Sequence, residues 1–170
     1  KRLLAIVIVL FTVSKIAFSQ FDNTDFLKSA PGDAVKIIEA YIAPWTNAFG
    51  AGLNGSWYNT AKPHKFGGFD ITTAFNVGIV PADAGTYDLS KLNLSTNMNP
   101  KTGTAPTVSG DNTAGPAMTY SVSGVTLATF NTPPGTNWKY IPVPTAQIGL
   151  GLPLGTEIKV RYIPKIPIKD

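Results

Sequence analysis

A single histidine and the polar residues around it are the part of this chain that could do chemistry. His64 lies in the segment AKPHK, between Lys62 and Lys65, and it is the only histidine among 170 residues that include no cysteine. A hydrolytic triad would need this imidazole beside a serine and an acid, but the sequence lacks the G-x-S-x-G turn that presents such a serine. One imidazole without thiolates also disfavours a transition-metal site. We therefore predict that the protein is not an enzyme and has no catalytic residue, metal or cofactor.

Two groups of polar residues remain as candidate contacts for a ligand or for the lumen of a channel. The first group, within the segment WYNTAKPHK, comprises Asn59, Lys62, His64 and Lys65. The second is the alternating row Glu157, Lys159 and Arg161. Alternation places such a row on one face of a strand, where it either lines a polar interior or faces water. For WYNTAKPHK the alternative is a strand end with its aromatic residues at an interface and its lysines in solvent.

Two glycine-rich segments resemble ligand-binding loops but lack the required context. GAGLNG at 50–55 has the G-x-G-x-x-G spacing, yet a helix is predicted before it and WYNT follows it. A dinucleotide loop needs a strand before it and a helix after it, so that the phosphates meet the helix N-terminus. GDNTAG at 110–115 offers one carboxylate, which is a thin ligand set for calcium. We interpret both segments as connections.

The first nineteen residues have the organisation of an export signal. A basic start, KR, precedes the apolar run 3–13, and Ala17 and Ser19 supply small residues before Gln20. The run is shorter than the roughly 20 residues that span a membrane as a helix. We therefore predict a signal peptide over residues 1–19, cleavage before Gln20 and an exported protein.

The net charge of +4 does not indicate a nucleic-acid partner. Three of the 14 basic residues lie in the predicted signal peptide, so the remainder has 11 basic and 10 acidic side chains. Nucleic-acid binding depends on a dense basic surface, which this composition lacks. We predict no nucleic-acid partner.

Residues 20–54 are predicted to form a leader and an amphipathic helix, and residues 55–170 an antiparallel β region. Asp33 is expected to cap the helix, whose apolar residues recur at helical spacing from Ala34 to Trp45. Pro44 is expected to kink or end it. Glycine and proline together supply 30 of the 170 residues, while 44% of the chain is hydrophobic, which favours a folded, turn-rich β protein.

Alternation of apolar and polar residues predicts the strands. The clearest run is 68–81, and the second is 155–163. Weaker strands are predicted at 56–61, 86–95, 117–130 and 137–143, with bulges where the second and third of these change phase, the latter at Gly124. Fifteen of the twenty residues in 97–116 are Gly, Pro, Ser, Thr, Asn or Asp, which predicts a long loop. The prolines of 131–153 predict a loop, an edge or an extended arm.

Two blocks, roughly 33–81 and 138–168, carry a resemblance to a known family. The most specific piece is WYNTAKPHK followed by GFDIT, and the second block contains IPVPTAQIGLGLPLGTEIKVRYIPKI. They resemble an uncharacterised family of exported Bacteroidota proteins, taken as outer-membrane β-barrels distantly similar to long-chain fatty-acid transporters. The resemblance implies an antiparallel outer-membrane-type β-barrel with the helix plugging or packing within it. It also implies a longer protein, of which this chain is an incomplete amino-terminal part.

Two architectures therefore stay open. The first is the outer-membrane β-barrel, a channel or transporter for an unknown amphipathic solute, with outer-membrane lipid as its partner. The second is a secreted β-sandwich with one packed helix, a binding or structural module of the periplasm or cell surface. Alternation does not separate them, because the apolar face of a strand meets lipid in a barrel and the protein core in a sandwich. The sequence identifies no partner protein.

Overall fold

The computed structural model of the protein describes residues 30–164. Helix α1 spans Pro31–Asn54. The strands are β1 (Phe69–Ile79), β2 (Thr86–Asp88), β3 (Met98–Asn99), β4 (Thr104–Pro106), β5 (Ala117–Val122), β6 (Val125–Asn131), β7 (Tyr140–Leu152) and β8 (Thr156–Tyr162). Short 3-10 turns occupy Ala82–Gly85, Leu89–Leu92 and Pro153–Gly155. The predicted signal peptide and its cleavage site lie outside the described residues.

Helix α1 is longer than the sequence predicts. Pro31 lies in the first turn, where a missing N–H breaks no helical hydrogen bond. Asp33 does not cap the helix; its carboxylate accepts hydrogen bonds from the hydroxyl and the backbone N–H of Ser95, the latter at 3.0 Å. The helix does not end at Pro44 but continues to Asn54. An interior proline costs about 3 kcal/mol, and the packing of the C-terminal half of α1 on β1 and β7 offsets this cost.

The largest sheet has the strand order β1-β7-β8, and both pairs are antiparallel. β1 pairs with β7 along its whole length, from Phe69 opposite Leu150 to Ile79 opposite Tyr140. β8 pairs with β7 only from Ala146 onward. The prolines of β7, Pro142 and Pro144, therefore lie in the stretch that has a single neighbour, where a missing N–H is tolerated. This agrees with the predicted edge character of the proline-rich segment.

The two faces of this sheet differ in composition and in exposure. One face, covered by α1 and by residues 55–68, carries mainly polar and small side chains such as Asp70, Asn76 and Gln147, together with the apolar Ile141 and Val143 near α1. The other, which we call the apolar face, carries twelve large hydrophobic side chains that are exposed: Phe69, Ile71, Phe75, Val77, Ile79, Tyr140, Ile148, Leu150, Leu152, Ile158, Val160 and Tyr162. The predicted alternation is confirmed. Among residues 30–164, no second sheet covers the apolar face as one would in a β-sandwich.

Residues 80–139 connect β1 to β7 and form a compact region that we call the insertion. It contains a two-stranded sheet, β2-β4, and a three-stranded sheet, β3-β5-β6. Its core packs against the first turns of α1. The buried members of this cluster are Ala30, Ala34, Ile37, Leu89, Leu94, Met98, Met118 and Phe130. Helix α1 thus joins the insertion at its N-terminal half to the large sheet at its C-terminal half.

The insertion and its neighbourhood differ from the predicted elements in several places. Residues 117–130 form the hairpin β5–β6 rather than one bulged strand, because Ser123 and Gly124 adopt the positive φ of a two-residue turn. The predicted loop 97–116 contains the short strands β3 and β4. Strand structure in 86–95 is limited to β2, and the predicted strand 56–61 is absent.

The described strands form three separate antiparallel sheets, so the chain is mainly β with one helix over residues 30–164, and that part contains no closed barrel. The predicted barrel is therefore not confirmed. No helix within these residues is long and apolar enough to cross a membrane.

Candidate functional site

The predicted row on β8 lies on the covered face of the large sheet. Strand alternation points Glu157, Lys159 and Arg161 towards α1 and residues 55–68, while the intervening side chains belong to the apolar face. Their partners across the β7–β8 ladder, in the same order, are Gly151, Gly149 and Gln147. In the structure this row is partly covered by other parts of the chain and does not lie fully in water.

Two glycines of β7 make room for charged groups on this face. A Cβ at Gly149 would lie 2.1 Å from Asp70 Oδ1 and 2.6 Å from Glu157 Oε1. A Cβ at Gly151 would lie 2.3 Å from the carbonyl oxygen of Lys65. Since real Cβ atoms do not approach so closely, any larger residue would displace the carboxylates or the backbone above them.

Four side chains meet over these glycines and form what we call the charge cluster: His64, Asp70, Glu157 and Lys159. Lys159 Nζ lies 3.0 Å from Glu157 Oε1 and 3.8 Å from Asp70 Oδ1. His64 Nδ1 lies 3.3 Å from Glu157 Oε2 and 3.8 Å from Asp70 Oδ1. The side chains of Glu157 and Lys159 are only 12% and 14% exposed. The ammonium group thus neutralises one of two largely covered carboxylates.

A second set of contacts, which we call the arginine clamp, lies one step along β8. The guanidinium of Arg161 donates from Nη1 to the carbonyl oxygens of Leu53 (2.7 Å) and Gly55 (2.8 Å). It also donates from Nη2 to Gln147 Oε1 at 2.8 Å and lies 4.0 Å from the ring centroid of Trp57. The last carbonyls of a helix have no helical partner and favour a cation. The clamp therefore fixes the C-terminal end of α1 to the sheet.

Residues 55–68, which we call the strap, run along the covered face between α1 and β1. Ser56 Oγ donates to Asn76 Oδ1 at 2.8 Å, and Gln147 Nε2 donates to the carbonyl oxygen of Trp57 at 3.3 Å. Further along the strap, the backbone N–H of His64 donates to Glu157 Oε2 at 3.2 Å. The strap ends in two backbone hydrogen bonds with Gly151. Contacts of this kind along its length hold it on β1, β7 and β8.

The structure brings together four of the seven predicted site residues. His64, Glu157 and Lys159 belong to the charge cluster, and Arg161 forms the clamp. The other three side chains, Asn59, Lys62 and Lys65, are exposed on the strap and make no contact with the cluster.

Sequence analysis missed three residues that complete these contacts: Trp57, Asp70 and Gln147. Asp70 occupies a polar position in the alternation of β1, which was a usable signal. Gln147 was obscured because the prolines of β7 hid the alternation of that strand. Trp57 was noted only as a possible interface residue, since its stacking on Arg161 is a contact between segments far apart in sequence.

The charge cluster has atoms that could hold a cation. Ligand atoms of His64, Asp70 and Glu157 lie within 4.8 Å of one another. The ammonium of Lys159, however, already lies beside both carboxylates. Since a metal ion and an ammonium group would compete for the same oxygens, these distances describe an ion-pair network rather than an open metal site.

Two ionisable groups of the insertion have perturbed pKa values. Burial raises the pKa of Tyr87, because the ionised phenolate would lose its hydration. Hydrogen bonds from Ser90 lower the pKa of Asp88, whose carboxylate begins the 3-10 turn Leu89–Leu92. Both groups lie at β2, which belongs to the insertion and not to the sheet that carries the charge cluster.

A family model that describes a family of unknown function matches residues 1–170 of the chain. This match agrees with the expectation of an uncharacterised family. Neither a curated protein nor a solved structure matches the chain significantly. Because this match extends over the whole chain, the chain belongs to DUF6588, a family of unknown function.

Proposed function

We propose that the protein is an outer-membrane β-barrel protein in which the β1-β7-β8 sheet is part of the wall, and that it acts as a channel or transporter for an amphipathic solute. The observation that carries the proposal is the orientation of this sheet. The twelve large apolar side chains of the apolar face point away from the rest of the described chain, and the charged side chains of the sheet point towards α1 and the strap. A transmembrane barrel has this arrangement, with apolar residues towards lipid and polar residues inside.

The exposure of the apolar face supports contact with lipid rather than water. Ile71, Val160 and Tyr162 expose 68%, 67% and 65% of their surface. Soluble proteins rarely expose contiguous apolar patches beyond a few hundred Å². Side chains from all three neighbouring strands contribute here, as shown by the pairing of Ile71 with Ile148 and of Ile148 with Val160. The result is a continuous band rather than scattered hydrophobic residues.

The length of the strands also fits a membrane. β1 has 11 residues, and at about 3.3 Å per residue it extends roughly 33–36 Å. A strand tilted by about 45° then covers roughly 25 Å along the membrane normal, the height of the apolar band of outer-membrane barrels. β7, with 13 residues, is long enough for the same span.

The covered face fits the interior of such a barrel. Helix α1 approaches the sheet closely, since a Cβ at Gly78 would lie 2.1 Å from the carbonyl oxygen of Ala48. The strap covers the remaining polar side chains through the clamp and the charge cluster. This agrees with the plug that the family resemblance implies for the N-terminal helix. A polar interior filled by a helix would block free diffusion and restrict passage to solutes that displace the plug.

The two outer strands of the sheet require further pairing in a membrane. β1 and β8 each have one neighbour among residues 30–164. Lipid offers no hydrogen-bond partners for the remaining backbone groups of an edge strand. In the proposed barrel, further strands of this protein or of another copy pair with both edges.

The alternative function is a secreted or surface binding module. In that case another apolar surface would cover the apolar face, as the second sheet of a sandwich does. The tests below distinguish the two, because a covered face would be inaccessible to lipid.

Lipid contact can be tested with single thiols, because the chain contains no cysteine. We would place an environment-sensitive NBD fluorophore on Ile71→Cys and Val160→Cys, and on Lys101→Cys in the insertion as the control. In vesicles that contain nitroxide-labelled lipid, the first two labels should be strongly quenched and the third weakly. Equally weak quenching at all three sites, or recovery of the protein in the soluble fraction, would favour the binding module.

The transport role is tested separately. Cells that produce the protein should take up a fluorescent long-chain fatty acid, used as the amphipathic probe, faster than cells that lack it. If the protein inserts into the membrane but uptake does not increase, the proposed barrel wall still stands and the fatty-acid probe is not the solute.

A further inference from the structure

The two connections within the large sheet differ strongly in length. β7 and β8 are joined by Pro153–Gly155, a three-residue turn in which Leu154 and Gly155 both have positive φ. β1 and β7 are joined by the insertion, which spans residues 80–139. The register places these connections at opposite ends of the strands. Ile79 and Tyr140 form the last pair at the insertion, whereas Leu152 and Thr156 form the last pair at the turn.

The insertion is a folded structure of its own and not an extended loop. Its two ends meet at the base, where the backbone N–H of Val80 donates to the carbonyl oxygen of Lys139 at 2.8 Å. Both small sheets lie within it, and Met98 and Met118 are fully buried in its core. Among the described residues, only α1 and Ala30, the residue before it, contribute to that core from outside the insertion. A unit of this size needs aqueous space at its end of the sheet.

Transmembrane barrels of bacterial outer membranes have short turns on the periplasmic side and longer connections on the extracellular side. Taken with the proposed function, on which this inference rests, the unequal connections define an orientation. We infer that the insertion, residues 80–139, faces the cell exterior and that the turn Pro153–Gly155 faces the periplasm. The insertion is then the part of the protein that external solutes or partners contact first.

The same orientation places the other features of the fold. The N-terminal half of α1 packs in the insertion, and its C-terminal end is fixed by the clamp on the covered face. The strap leads from that point to Phe69, the residue of β1 at the turn end. Helix and strap therefore extend through the interior from the external side towards the periplasmic side. The charge cluster lies near the periplasmic end, beside the first residues of β1 and β8.

Accessibility of single thiols to a membrane-impermeant maleimide tests the orientation. Lys101→Cys and Asn112→Cys place exposed thiols on the insertion, and Leu154→Cys places one in the turn, where the native side chain is 99% exposed. The full-length variants would be produced in a Gram-negative host and labelled in intact cells and after outer-membrane permeabilisation. The labelling yield in intact cells, divided by the yield after permeabilisation, should be close to one for both insertion variants and close to zero for Leu154→Cys.

The outcomes separate the orientation from the proposed function. A membrane-embedded protein with the reverse pattern, or with all three sites equally labelled or equally protected in intact cells, would overturn the orientation while retaining the membrane wall. Recovery of all variants in the soluble periplasmic or secreted fraction would instead overturn the proposed function. Fractionation of the same cells distinguishes these cases.

Discussion

Replacement of Arg161 by alanine should release the strap from the sheet. Arg161 is the residue through which β8 contacts the end of α1 and the start of the strap, by hydrogen bonds to Leu53 and Gly55 and by its stacking on Trp57. In Arg161→Ala the two carbonyl oxygens lose their charged donor and Gln147 Oε1 loses its partner. No neighbouring side chain in the clamp can replace the guanidinium fork.

The size of the effect follows from these contacts. A hydrogen bond to a charged group contributes about 1.5–3 kcal/mol and a cation–π contact about 0.5–2 kcal/mol. Contacts that share one side chain do not add, and the clamp is only partly buried, so we take about 3 kcal/mol for strap opening. Because 1.4 kcal/mol corresponds to a factor of ten, the opening equilibrium should rise roughly 100-fold.

Hydrogen exchange measured by mass spectrometry on the purified protein can detect this opening. The amides of His64 and Gly67 donate to β8 and β7 in the closed strap, at Glu157 and Gly151 respectively. Their exchange rates should rise by about the same factor as the opening equilibrium, provided that closing is faster than exchange. The exchange of amides within the insertion should not change.

Two variants control for charge and for general destabilisation. Arg161→Lys retains the charge but cannot reach several acceptors at once, so strap exchange should lie between wild type and Arg161→Ala. Lys91→Ala, in the insertion, should leave strap exchange unchanged. If exchange of the strap in Arg161→Ala stayed close to the wild-type rate, the clamp would not be what holds the strap on the sheet.

Two further substitutions test the faces of the large sheet. Phe75→Arg should destabilise the membrane-inserted protein by about 2–4 kcal/mol in urea titrations, because a charge at mid-membrane loses its hydration. Leu127→Arg on the insertion should be tolerated. Equal tolerance of both substitutions would show that β1 does not lie in the membrane. Gly78→Ala should cost about 1–3 kcal/mol in the same titrations by forcing α1 away from the sheet, since the new Cβ would meet the Ala48 carbonyl. Gly50→Ala, where a Cβ has open space, should not destabilise, and a similar loss in both glycine variants would argue against close packing at Gly78.

Position 76 shows how the structure changes an expectation based on alternation alone. Alternation places Asn76 opposite to Phe75, so the sequence predicts that an arginine is tolerated better at 76 than at 75. In the structure, Asn76 Oδ1 accepts a hydrogen bond from Ser56 and lies 3.0 Å from the position of a Cβ on Gly55. We therefore expect Asn76→Arg to disturb the strap, which makes Leu127 the better control site.

Strand periodicity was the most informative signal in the sequence. The alternation of β1 and β8 is local, with a period of two, and it correctly predicts which side chains share a face. The prolines made β7 hard to predict as a strand, because a missing N–H is tolerated only where the strand has a neighbour on one side. The second neighbour, β8, begins its pairing only at Ala146, which no local pattern could show.

Local patterns in the sequence were sufficient to predict the strand faces, the presence of the N-terminal helix and a set of polar candidates. They could not determine that the apolar face points outward, because alternation is identical in a strand that faces lipid and one that faces a core. The outward direction follows from the packing of α1 and the strap on the polar side of the sheet. The tertiary structure also decided that His64 meets Glu157, 93 residues away, since such pairs depend on chain topology and not on spacing.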